Sequence, residues 1–160
     1  MTGRINALMA EIEKSAEHLD RLAGLYQQHA QNLSASQRNL EKAVFISEIF
    51  VNYYTCLETI FFRISQFFEN ALPAQRWHRT LLENMCLKIP DIREAVISDE
   101  MFYLLDELRK FRHFKRYYYS MEYDWDKLDY LAKKFEKIIR QCPQELDSFV
   151  VFLKRLKEQV

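Results

Sequence analysis

From Leu108 to Tyr119 the chain reads Leu-Arg-Lys-Phe-Arg-His-Phe-Lys-Arg-Tyr-Tyr-Tyr, interleaving cations and aromatics on what its spacing predicts to be one continuous helix. At about 100° per residue, Arg109, Arg112, His113 and Arg116 fall within roughly a third of the circumference, with Phe111, Phe114 and Tyr118 on the opposite side. One face is suited to packing and the other to holding an anion, so chemistry on a phosphate would start here. Between Arg109 and Arg116 stand five Lys or Arg and no acid, whereas the whole chain balances 23 basic against 23 acidic residues. That balance excludes a general nucleic-acid coat and leaves one local anion site, reinforced if two copies of the patch meet across a dimer. The plainer alternative for such a run is the solvated outer face of a long helix.

The elements that must position this face follow from composition and periodicity. A chain of 160 residues with 49% hydrophobic content can bury a proper core and most simply makes one domain over residues 1–160. Only two Gly and three Pro leave little room for hairpin turns, which points to an all-α protein. A first amphipathic helix is expected over about residues 4–30, then Ser34 or Ser36 as a cap. A long helix over about residues 37–72 carries too many large apolar groups for a surface position and should be central. Pro73 ends it. A shorter helix begins at Trp77 and stops before Pro90, and residues 91–97 form a connector. Ser98, followed by Asp99 and Glu100, reads as the N-cap of the basic helix, expected to run to about residue 120. After a turn capped by Asp124 or Asp126, the last helix covers about residues 127–159, with a kink or short break at Pro143.

Three widely spaced cysteines, Cys56, Cys86 and Cys142, sit inside apolar helical patterns and read as core or near-core thiols in a reducing compartment. With no Cys-x-x-Cys pair and four scattered histidines, a zinc site has little support. The charged N-terminus lacks an apolar signal segment and no stretch reaches the length of a membrane span, so a cytoplasmic protein is expected, with no membrane partner.

Three blocks carry a family resemblance: Trp77-His78-Arg79-Thr80-Leu81-Leu82-Glu83-Asn84-Met85; Ile89-Pro90-Asp91-Ile92-Arg93-Glu94-Ala95-Val96-Ile97-Ser98; and Leu104-Leu105-Asp106-Glu107-Leu108-Arg109-Lys110-Phe111-Arg112-His113. Together with the Leu57-Glu58 pair, they resemble HEPN-domain ribonuclease toxins of the HepT-like group over roughly residues 53–128. The resemblance implies an antiparallel bundle of four to five main helices that forms a homodimer. It also implies a metal-independent RNA-cleaving site where two copies of one helix meet, acting on RNA such as tRNA or mRNA without a cofactor. The implied partner is a nucleotidyltransferase antitoxin of the MNT type, which silences the toxin by adding AMP to a tyrosine. The family's motif is an Arg, four to six residues, then a His, with the modifiable Tyr two positions later. Arg112 matches the Arg and Tyr119 the modifiable Tyr, while Tyr117 occupies the His position; Arg109, His113 and Arg116 are the implied phosphate-binding neighbours.

Tyr117 matters because metal-free RNA cleavage needs a proton acceptor for the 2′-hydroxyl or a donor for the leaving oxygen, plus a cation for the charged phosphorane. Arg112 and Arg116 can supply the cation. An ordinary imidazole, with a pKa of about 6.5, is poised at neutral pH, whereas an ordinary tyrosine, at about 10, is only roughly 0.1% deprotonated there. Tyrosine is a usable acid and a poor base, so cleavage should be slowed by about 10² to 10⁴-fold. His113 does not restore the pattern, being adjacent to Arg112 and too close to Arg109. Three explanations stay open: a weakened or repurposed domain that still binds RNA, a nucleotide or its partner; a copy altered by a single-base His-to-Tyr change; or joint service by Tyr117 and His113. His78 reads as a capping or packing residue, and Glu58 either orients Arg112 or balances charge.

Overall fold

Apolar residues at helical spacing account for each helix of the computed structural model, which describes residues 1–69, 77–116 and 121–159. Helix α1 spans Thr2–His29 and buries Ile5, Leu8, Ile12, Leu19 and Tyr26 along one stripe. Helix α2, Leu40–Phe68, buries residues over about half of its circumference and touches all four other helices, as expected of the central element. Helices α3 (Trp77–Met85), α4 (Asp99–Arg116) and α5 (Trp125–Glu158) complete the bundle. Among the described residues there is no β-strand, only an isolated bridge between Ile89 and Arg93. The protein is all-α.

The centre of the core is aromatic. Tyr26 and Phe50 each stand 4.9 Å from the Phe135 ring and Tyr53 stands 5.1 Å from it, tying α1, α2 and α5 together. Burial of each such ring contributes about 1.5–3 kcal/mol, so this cluster holds the frame on which the basic helix is mounted.

Helix α4 is fixed at its start by two devices. Ser98 Oγ accepts the Met101 amide at 3.1 Å, the cap expected from sequence, while the Ser98 amide and hydroxyl donate to the Glu145 carboxylate of α5 at 2.9 and 2.7 Å. Arg93 then clamps the connector. Its side chain is 0% exposed and donates to Glu69 at the end of α2 (2.7 Å) and to the carbonyls of Leu87 and Asn84 (both 2.8 Å). Helices α2, α3 and α4 are thereby held in one relative position.

Three expectations change. The second helix starts later than expected: Asn39 Oδ1 accepts the Lys42 amide at 2.9 Å and caps α2, while Ser34 closes a capping box on the short 3₁₀ turn Ala35–Gln37. Helix α5 runs through Pro143 without a break. The missing N–H is outweighed there because Ile138, Cys142, Leu146, Phe149 and Leu153 form one unbroken buried stripe on either side of it. Phe114, assigned to the packing face, is 51% exposed; the buried stripe of α4 ends at Phe111. The expected end of the basic helix at about residue 120 lies outside the described residues. Of the cysteines, Cys142 is buried and Cys56 and Cys86 are half-buried.

Candidate functional site

The residues singled out on the basic helix converge with side chains from two other helices. Arg109, Arg112, His113 and Arg116 of α4 line a shallow cleft whose opposite wall is Tyr54 and Glu58 of α2 and His78 of α3. Helical spacing explains the grouping: the α4 residues recur at three and four positions, and Tyr54 and Glu58 are an i, i+4 pair on one face of α2. The other two cations of the run point elsewhere. Lys110 pairs with Asp106 at 3.2 Å and Glu107 at 3.3 Å, and Lys115 pairs with Glu48. Tyr117 and Tyr119 lie outside the described residues.

Glu58 is the hub. Its side chain is 8% exposed, and its two oxygens take different partners: Oε1 accepts from Arg112 Nη1 at 2.6 Å, and Oε2 meets His78 Nδ1 at 2.7 Å. A buried carboxylate needs such pairing, and the two bonds fix the rotamers of both neighbours. The orienting role weighed for Glu58 therefore matches its geometry. The Arg112 guanidinium also lies over the Tyr54 ring, 5.6 Å from its centroid, so its plane is held from below as well. Burial and then the Glu58 carboxylate push the Tyr54 hydroxyl well above the usual tyrosine range, against the lowering effect of Arg109 and Arg112. That phenol stays protonated.

Arg109 is tethered through Nε to Asp106 Oδ1 at 2.7 Å. Burial opposes the charge on Asp106, but hydrogen bonds and charge from Arg109 and Lys110 outweigh it and hold the carboxyl below its usual range. Arg116 is exposed and makes no ion pair among the described residues. Three guanidinium groups thus share a cleft with one carboxylate, an arrangement that attracts an anion. The cleft is small, about 40 Å³. Ligand pockets usually enclose about 300 Å³ or more, so one chain offers a cradle for a phosphate and not an enclosed nucleotide pocket.

His78, read from sequence as capping or packing, is a wall of this cleft. Its ring stacks on Trp77 at 3.8 Å, and its side chain is 35% exposed. Tyr54, which the sequence analysis does not single out, is the other residue that sequence reasoning missed. Its place four residues before Glu58 on the same helix is a signal that was available; for His78, the only local signal was its position at a helix start beside Trp77. Among the described residues no three His, Cys, Asp or Glu side chains are grouped to hold a metal ion.

A family model for HepT-like proteins matches residues 45–153, more than half of the chain and inclusive of every cleft residue. The chain belongs to the HepT-like family. This HepT-like match is wider than the resemblance in residues 53–128, extending it into the first turns of the central helix and through most of α5. No curated protein and no solved structure matches the chain. No helix among the described residues is long and apolar enough to cross a membrane.

Proposed function

We propose that this HepT-like protein is the toxin of a toxin–antitoxin pair, a metal-independent endoribonuclease that cleaves RNA as a homodimer. The observation that carries the reading is Arg112. It is 12% exposed, held by Glu58 and Tyr54, and lies in a cleft with Arg109 and Arg116, where its remaining N–H donors can meet a phosphate. In this reading Arg112 binds the scissile phosphate and stabilises the charge that develops on it, with Arg109, His113 and Arg116 contacting phosphate oxygens. Tyr117 stands at the family's acid/base position. A phenol there can protonate the leaving 5′-oxygen but is a poor acceptor of the 2′-hydroxyl proton, so turnover is weaker than in a relative with histidine.

The shallow cleft supports the homodimer, because a second copy would cover its open side. The partner is a nucleotidyltransferase antitoxin of the MNT type, and Tyr119 is the residue it would modify with AMP. The Tyr at position 117 favours a second reading, a catalytically silent HEPN module that binds RNA, a nucleotide or the antitoxin through the same basic face.

Inducible expression of the parent, Tyr117→His and Arg112→Ala proteins, with growth and cellular RNA followed together, separates these readings. The ribonuclease reading expects weak cleavage by the parent, stronger arrest and cleavage by Tyr117→His, and neither from Arg112→Ala. RNA retained on the parent protein, with cleavage by none of the three, would leave the binding module.

A further inference from the structure

We propose that His78 of α3 is the general base of this cleft, taking the 2′-hydroxyl proton that Tyr117 is ill suited to accept; the proposal rests on the ribonuclease reading above. Imidazole is the side chain that exchanges protons in the neutral range. His78 has the arrangement a general base needs. Its Nδ1 is bonded to Glu58 Oε2 at 2.7 Å, which places the N–H on Nδ1 and leaves the Nε2 lone pair as the acceptor. Trp77 lies against its ring at 3.8 Å and is itself 6.0 Å from Phe62, so the imidazole plane is set by packing on α2. The side chain remains 35% exposed on the cleft wall, so a ribose can reach it.

The shared carboxylate strengthens the assignment. Glu58 holds the imidazole with one oxygen and Arg112 with the other, so the proton acceptor and the phosphate-binding cation are positioned by a single buried group. A structural ion pair would gain little from leaving its histidine on a solvent-accessible wall among three arginines. Facing His78 are Glu58 and Tyr54 from α2 and Arg109, Arg112, His113 and Arg116 from α4.

The 2′-oxygen attacks phosphorus and forms the O2′–P bond while its proton passes to His78 Nε2. The P–O5′ bond breaks, and the 5′-oxygen leaves with the electron pair and takes a proton from water. The proton on His78 then passes to the hydroxide left behind. Products are a 2′,3′-cyclic phosphate end and a 5′-hydroxyl end.

The test is single-turnover cleavage of a randomised-sequence single-stranded RNA by the full chain across the acid-to-neutral range, beside His78→Gln and His78→Gly. The parent rate should rise with pH and level off, the signature of a base that acts only when unprotonated. His78→Gln should cleave about 10² to 10⁴-fold more slowly and lose that rise, while retaining RNA on a filter as well as the parent does. Added imidazole should restore part of the rate to His78→Gly. A His78→Gln protein that keeps the parent rate or its pH rise, or a loss in His78→Gly that imidazole does not restore, overturns the assignment and leaves the ribonuclease reading intact. A parent chain that cleaves none of the RNA overturns both.

Discussion

Replacing Glu58 with glutamine keeps the shape of the hub and removes its charge. Two short bonds are affected, 2.6 Å to Arg112 and 2.7 Å to His78, and the amide can accept only one of them on its single oxygen. A hydrogen bond to a charged group contributes about 1.5–3 kcal/mol, and breaking a buried ion pair costs about 3–5 kcal/mol. Arg112 is largely buried, but His78 is one-third exposed and can rehydrate, which places the loss near the lower end of that range. The expected destabilisation is about 3 kcal/mol, equivalent to a melting point about 6–12 °C lower for a chain of this size. Urea unfolding followed by circular dichroism reads this directly, with an unchanged m value showing that the effect is on stability. A cycle with Arg112→Gln and the double variant should return a coupling energy above about 1 kcal/mol. Stability within about 0.5 kcal/mol of the parent would refute the hub, because that is the range of an ordinary surface substitution.

Arg93→Met should destabilise more than any change in the cleft, by about 3–5 kcal/mol, because it strands Glu69 and two backbone carbonyls around a side chain with no solvent exposure; a midpoint shift of less than a third of that would show the clamp to be dispensable. Pro143→Ala should stabilise the protein by about 1–2 kcal/mol by returning an N–H to a helix that is already continuous, and a lower urea midpoint would count against this account of α5. An MNT-type nucleotidyltransferase supplied with ATP should add AMP to Tyr119. Fragment masses placing the adduct on Tyr117 or Tyr118 would remove Tyr119 from the motif.

The basic face is legible in the sequence because a helix converts spacing into direction. Arg109, Arg112, His113 and Arg116 share a face whatever surrounds them. The scarcity of Gly and Pro likewise determines the all-α character, and Ser98 announces its helix because a cap acts on its own next few amides. Other features needed the tertiary structure. Pro143 locally argues for a break, but the buried stripe that overrides it exists only once α5 packs on α1, α2 and α4. The hub was hidden most deeply. His78 lies 20 residues from Glu58, and Arg112 lies 54 residues from it. Periodicity states which way each of these side chains leaves its own helix and nothing about which helix lies opposite. That is decided by the aromatic core beneath α2 and by the Arg93 clamp that sets α3 and α4 against it, so that one carboxylate reaches both partners.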